Sequence, residues 1–443
     1  MSHETSLENF RTLVEIPTIS RLDPAETQWD HFDRFIAALE MLYPLVHEKL
    51  DRELVAEHSV LFRWRGESAD SPTILMAHYD VVAATDEGWD HPPFAAHLTG
   101  EGDERLLWGR GTVDDKGSLV AILEAVTASL EAGIVPGNDI YLSFGHDEET
   151  AGTGAAAAAE LLASRSVTPG LVLDEGGAIV EKVFPGLSEP TAVIGVSEKG
   201  ATLLRLVVEQ QGGHASTPPP MTATARLARA IVRINAKPFP ASFNAPALDL
   251  FSRIARSASG AYRFLFGSLW LTKPVLLRFF TTSGPETNAM TRTTQAVTML
   301  EAGHAANALA ERATAMVNVR VAVGSSVAAS IDHIRSAIRD EAVRIELVQT
   351  GEPSPVSPTT GAGWQRILSA VEATHPGVLC LPYVQNGATD SRQFTSLTPH
   401  VYRFTPFELS RDERDTLHAV NERIHVATWL RGIDFYRALI ASS

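Results

Sequence analysis

Between about residue 50 and residue 180, short apolar runs alternate with stretches whose apolar residues recur every three or four positions. The runs TILMAHYDVV (73–82), DIYLSFGHDEE (139–149) and GLVLDEGG (170–177) each start apolar and finish in acids or histidine. Continuous apolar runs of this length bounded by polar residues predict buried strands. Between the first two lies GSLVAILEAVTASLEAG (117–133), with Leu119, Ile122, Leu123, Val126 and Leu130 in helical spacing and Gly133 placed as a C-cap. Strand, helix and strand in this order predict a largely parallel α/β sheet covered by helices.

The pattern changes after TAVIGVS (191–197). ATLLRLVVE (201–209) reads as a strand, MTATARLARAIVRINA (221–236) as a helix, and AVTMLEAG (296–303) and ATAMVNVRVAVG (313–324) as strands. This predicts a smaller, ferredoxin-like α+β domain at 198–323 inserted into the α/β domain, whose two parts are then 1–197 and 324–443. The helical pattern VAASIDHIRSAIRDEAV (327–343) and the stretch from Trp364 onward are read as the resumed α/β alternation. No repeat of solenoid or propeller period occurs.

Two other stretches bear on location. MSHETSLENFRTLVEIPTIS lacks a basic start and an apolar core, and reads as an amphipathic helix running into Pro17, which points to the cytoplasm. FLFGSLWLTKPVLLRFF (264–280) is strongly apolar but contains Lys273, Pro274 and Arg278, and is shorter than the ~20 residues needed to span a bilayer. It reads as a buried or partner-facing segment, either a pocket for an acyl group or a subunit contact, with membrane contact as the minority alternative.

Charge and cysteine content narrow the chemistry. Lys plus Arg number 37 against 53 Asp plus Glu, so the formal charge of −16 opposes non-specific attraction to nucleic acid or anionic membranes. Cys380 is the only cysteine, which excludes an internal disulfide and any multi-cysteine zinc site. Any metal must be held by His, Asp and Glu.

Ligands of open α/β sheets bind beyond the carboxyl ends of the strands. At such positions stand His78 and Asp80 in AHYD, Asp114 and Asp115 in GRGTVDDKG, Glu148 and Glu149 in HDEE, and Asp174 in LVLDEGG. Each alone has a plainer reading, as a capping pair, a turn before a helix or a surface charge run. Gathered in one cleft, however, the acids repel by several kcal/mol per close pair at an effective dielectric near 20, or take up protons. A pair of divalent cations removes that cost. Oxygen and imidazole ligands without thiolate suit catalytic zinc, with Co²⁺ or Mn²⁺ as substitutes. His47 and Glu48 are followed by Lys-Leu-Asp rather than completing HExxH, no GxSxG occurs, and GRGTVDDKGS lacks the Gly-Lys-Ser/Thr order of a phosphate loop.

The motifs AHYDVV, GRGTVDDKG, DEETAGTG, LDEGG, GGHASTP, NGATDSRQF and HAVNERI resemble the cocatalytic dizinc metallopeptidase family of aminoacylase, carboxypeptidase G and succinyl-diaminopimelate desuccinylase. TTQAVTMLEAG, VNVRV and VYRF look most similar to its Gly-X carboxypeptidase and N-fatty-acyl amino acid hydrolase branch. The resemblance implies that His78 and Asp174 hold one zinc and Glu149 and His418 the other, with Asp114 bridging across a cis Asp114–Asp115 peptide. It implies that Asp80 orients His78 and that Glu148 is the general base. It further implies His214 as the oxyanion-stabilising histidine, Asn307 and Arg320 as substrate contacts, and Gly387, Ala388 and Thr389 as N–H donors to a carboxylate. Two departures stand out: Ala308-Leu309-Ala310 replaces the family's Val-Ile-Pro after Asn307, and Ala419 replaces glycine after His418, which requires a negative φ there.

The resulting expectation is a zinc-dependent amidohydrolase cleaving a dipeptide or N-acyl amino acid with a free carboxylate through a metal-bound hydroxide. A homodimer through the inserted domain accords with it. A catalytically silent metal-binding protein on the same fold and a magnesium phosphohydrolase are the alternatives. Intact Glu148 argues against the first, and two histidine ligands against the second.

Overall fold

A computed structural model of the chain describes residues 2–181, 184, 186, 187 and 189–443. It divides into two compact units, one of Met1–Val196, Ser357–Tyr383 and Thr389–Ser443, the other of Ser197–Val356 and Val384–Ala388.

The first unit is built on an eight-stranded sheet in the order Asp51–Val55, Ser59–Trp64, Asn138–Gly145, Ser68–His78, Leu171–Val180, Val401–Glu408, Thr191–Glu198, Leu379–Gln385. The four central strands pair in parallel, whereas Ser59–Trp64 and Thr191–Glu198 run antiparallel to their inner neighbours. From Thr73 to His78 every residue is buried, as expected of a strand covered on both faces. One face carries helices His3–Val14, Trp29–Leu42, Lys116–Glu131, Ala362–Thr374 and Val426–Ala441, which enclose Phe10, Leu119, Leu123, Trp364 and Trp429. On the other, helix Thr153–Ser164 packs Ala155, Ala158 and Leu162 against Leu61, Ile74 and Tyr141. Alanine at those helix positions lets the backbone approach the sheet closely. No helix among the described residues is long and apolar enough to cross a membrane.

The second unit is a strand–helix–strand–strand–helix–strand arrangement. Its antiparallel sheet has the order Thr294–Ala302, Arg312–Val321, Gly200–Glu209, Arg344–Gln349, with helices Ala223–Ala236 and Val327–Ile338 packed together over Leu204, Leu206, Val317 and Val319. This is the ferredoxin-like topology, and it needs the second helix and fourth strand to close. The unit therefore extends to Val356 rather than ending at 323. Arg344–Gln349 pairs with Gly200–Glu209, and no local periodicity reveals which sheet such a strand will join.

Residues 264–280 are buried along one side and exposed along the other. They form helices Gly260–Gly267 and Leu269–Thr282, whose Phe266, Thr272, Leu276 and Phe280 are buried while Phe264, Trp270, Leu271, Val275 and Phe279 are exposed.

Candidate metal centre

Five side chains meet at the carboxyl edge of the central strands. His78 ends the strand Ser68–His78, level with Gly145 on its neighbour. Asp80 follows, fully buried, and anchors three segments at once. Its Oδ1 accepts the Glu148 N–H at 3.1 Å, while Oδ2 accepts the Glu149 N–H at 3.1 Å and the Ser20 hydroxyl at 2.7 Å. His78 Nδ1 lies 3.0 Å from the Asp80 carbonyl oxygen and 3.3 Å from Oδ1, so this edge of the ring is engaged. The other nitrogen, Nε2, is 3.0 Å from Asp114 Oδ1.

Asp114 sits on the loop leading into helix Lys116–Glu131. Gly117 permits that loop to fold over the helix start, since a Cβ there would collide with the Thr112 carbonyl oxygen. Buried Glu422 shapes the loop from the far end of the chain. Its Oε1 accepts the N–H groups of Gly111, Val113 and Asp114 at 3.1, 2.8 and 3.2 Å, and its other oxygen pairs with Arg110. A three-stranded sheet of His97–Thr99, Leu106–Trp108 and Arg423–His425 joins these distant segments. The Asp114–Asp115 peptide is cis.

The same sheet brings His418 to the site. Its Nε2 lies 2.8 Å from Asp114 Oδ2 and 3.1 Å from Glu149 Oε1. Each Asp114 oxygen therefore faces a different histidine. The left-handed conformation in this turn falls on His418 (φ 58°) and Asn421 (φ 65°), and Ala419 is not among the positive-φ residues, which meets the condition for alanine there.

Two groups result, His78 with Asp114 and Glu175, and Asp114 with Glu149 and His418; within each, one ligand atom per residue lies within 4.8 Å of the others. The first contains Glu175 where the sequence pointed to Asp174. Asp174 Oδ2 instead accepts the Ser391 N–H at 2.7 Å, while Glu175 Oε1 is 4.0 Å from His78 Nε2. The cause is a bulge. Pairing with Val401–Glu408 steps from Asp174 opposite Arg403 to Gly177 opposite Phe404, with Gly176 at φ 140°, and this turns Glu175 toward the site. The Gly176-Gly177 pair was the available sequence signal.

The electrostatics are those of a buried cluster of acids and imidazoles. Burial pushes the carboxyls of Glu148, Glu175 and Asp115 well above their usual range, and the charge of Asp114 adds to the shift. Burial would raise Asp114 too, but hydrogen bonds with His418 and His78 outweigh it and hold that carboxyl low. Hydrogen bonding to Asp114, then to Glu149, pushes the His418 imidazole up to about 10. Asp115 Oδ1 is buried without a hydrogen-bond partner. An orphaned acceptor, clustered acids and two imidazoles without thiolate fit divalent cations of the zinc type.

Asp147 has a different task from its neighbours. Its carboxylate accepts the Thr153 N–H and hydroxyl and the Gly154 N–H, capping the start of helix Thr153–Ser164.

In the second unit His214 and Asn307 lie on two exposed loops that pair with each other: Ala215 N–H donates to the Asn307 carbonyl at 3.1 Å, and Leu309 N–H to the Gly213 carbonyl at 2.8 Å. The replaced residues after Asn307 thus still form an ordered turn. Arg320 lies opposite Ala201 and Thr294, on the sheet face away from buried Val319 and Val321. Gly387 is exposed with open space around it, while in the first unit Thr389 is buried and shares a hydroxyl hydrogen bond with Ser391.

The family model described as peptidase family M20/M25/M40 matches residues 74–442. A probable carboxypeptidase S-like protein of Dictyostelium discoideum is 36% identical over 99% of this chain and 87% of its own length. The human N-fatty-acyl-amino acid synthase/hydrolase is 34% identical over 98% of this chain and 87% of its own length. Among solved structures, the M20 family metallo-carboxypeptidase of Sulfolobus solfataricus superposes with a TM-score of 0.69 over 98% of each chain, at 17% identity.

Proposed function

The chain belongs to peptidase family M20/M25/M40, and from that premise we propose that it hydrolyses the amide bond of a dipeptide or N-acyl amino acid bearing a free carboxylate. The observation that carries this reading is Asp114, whose two oxygens face His78 and His418 at 3.0 and 2.8 Å. Our ligand assignment is His78 and Glu175 on one side, Glu149 and His418 on the other, and Asp114 between, for two Zn²⁺ ions. When bound, such a pair polarises the amide carbonyl and makes water a stronger acid.

The protein's own groups then have separable tasks. Asp80 fixes the His78 ring through Nδ1 and the 148–149 backbone through both carboxylate oxygens, so one buried residue aligns both halves of the centre. Glu148, held by that backbone anchor, takes the proton from the attacking water and returns it to the leaving amine nitrogen. In the second unit, Arg320 is our candidate for bidentate pairing with the substrate carboxylate, Asn307 for a further substrate contact and His214 for a hydrogen bond to the tetrahedral oxyanion. Gly387 and Thr389 are candidates for N–H donors to the carboxylate. The human relative's name supports an N-acyl amino acid, and the Dictyostelium relative's supports a peptide.

The test is Glu148→Gln assayed beside metal analysis. The variant is expected to keep its metal and lose roughly 10²-fold or more in kcat; near-normal turnover would remove Glu148 from the reaction.

A further inference from the structure

We propose that helices Gly260–Gly267 and Leu269–Thr282 form a docking face for an anionic lipid surface. They lie in the segment between helix Ala223–Ala236 and strand Thr294–Ala302, and so are additional to the strand–helix–strand–strand–helix–strand framework. Together with helix Ala245–Ser257 they have a core of their own, in which the rings of Phe243, Phe251, Phe266 and Phe280 pack with centroids 4.8 to 5.7 Å apart.

The outward side is apolar as well. Along Leu269–Thr282 the buried stripe is Thr272, Leu276 and Phe280. At 100° per residue, Trp270, Leu271, Pro274, Val275 and Arg278 project to the other side, where a solvated helix carries polar residues. Trp270 is 86% exposed and Val275 66%, and Phe264 on the preceding helix is 59% exposed. Folding leaves these side chains in water, so the core does not account for them.

Charge selects the occupant. From residue 250 to 285 the chain holds no acidic residue, although its total formal charge is −16, and besides Arg253, which pairs with Asp249, it carries Arg256, Arg263, Lys273 and Arg278. Arg263, Lys273 and Arg278 are exposed among the apolar side chains. A second copy docking through the same face would set these cations against themselves, which costs affinity. An anionic headgroup layer complements them instead, while Trp, Tyr and Phe suit the boundary between headgroup and acyl chain. The acids elsewhere oppose this weakly, because charges are screened within about 8 Å at physiological salt.

The test is co-sedimentation of the full chain with vesicles of phosphatidylcholine, with and without phosphatidylglycerol. Wild type is expected to bind the anionic vesicles and to lose binding as salt rises from about 0.1 M to about 1 M. Trp270→Ser, Val275→Ser and Phe279→Ser combined should weaken binding roughly tenfold or more while leaving hydrolysis of a soluble dipeptide unchanged. Arg263→Glu, Lys273→Glu and Arg278→Glu combined should abolish the preference for anionic vesicles. Absence of wild-type binding, equal binding to neutral vesicles, or unaltered binding by the serine variant would overturn the proposal. So would a face that captures only an acidic polypeptide, or that mediates only a dimer lost in the serine variant.

Discussion

Replacing Glu422 by Gln tests how the bridging loop is held. The side chain is fully buried, with one oxygen accepting three loop N–H groups and the other paired with Arg110, which is itself 3% exposed. A Gln oxygen can keep the loop contacts, but its NH₂ then faces the guanidinium, donor against donor. Breaking a buried ion pair by removing one partner costs about 3–5 kcal/mol. Arg110 retains the Ala419 carbonyl at 2.8 Å and the Trp89 ring at 5.4 Å, so the lower end, about 3 kcal/mol, is expected. Arg110→Met leaves the carboxylate its three N–H donors and should cost about 2 kcal/mol. The double variant should cost clearly less than the sum, with a coupling near 2 kcal/mol, because the stranded charge is gone. Urea unfolding of chelator-treated protein measures these terms apart from metal linkage, and metal titration should show weaker binding in Glu422→Gln. A cost below about 1 kcal/mol together with intact metal affinity would refute this account of the loop.

Other expectations follow from the same geometry. Glu175→Ala should lower the metal content to about one ion per chain, whereas Asp174→Asn should retain two; the reverse result in elemental analysis would restore Asp174 as the ligand. Arg320→Ala should raise KM roughly tenfold or more for substrates with a free carboxylate and leave amidated analogues unaffected, and equal losses on both would exclude carboxylate pairing. Lys199 donates to the Ala289 and Arg292 carbonyls, and burial lowers its pKa to about 8. Between there and the unfolded value near 10.4 the unfolded chain binds more protons, so stability rises with pH. Relative to Lys199→Met, wild type should gain about 2 kcal/mol from pH 7.5 to pH 9.5, and a constant difference in urea unfolding would show that this amine keeps its ordinary pKa.

The sequence by itself determined the local units and marked most of the candidate site. Runs such as TILMAHYD and DIYLSFGHDEE are apolar enough to be buried on both faces and end in charge that burial excludes, so both the strands and the edge bearing His78, Glu148 and Glu149 could be read directly. Tertiary structure decided whatever depends on a partner outside the local pattern. Strand Arg344–Gln349 belongs to the second unit because it pairs with Gly200–Glu209. Glu175 rather than Asp174 faces His78 because the bulge is set by register against Arg403 and Phe404. Glu422 shapes a loop 308 positions away. The apolar content of 264–280 was plain in the sequence, but which of its faces would be buried was settled only when Phe266, Leu276 and Phe280 packed inward. Periodicity records what a segment can bury; register and packing determine what it meets.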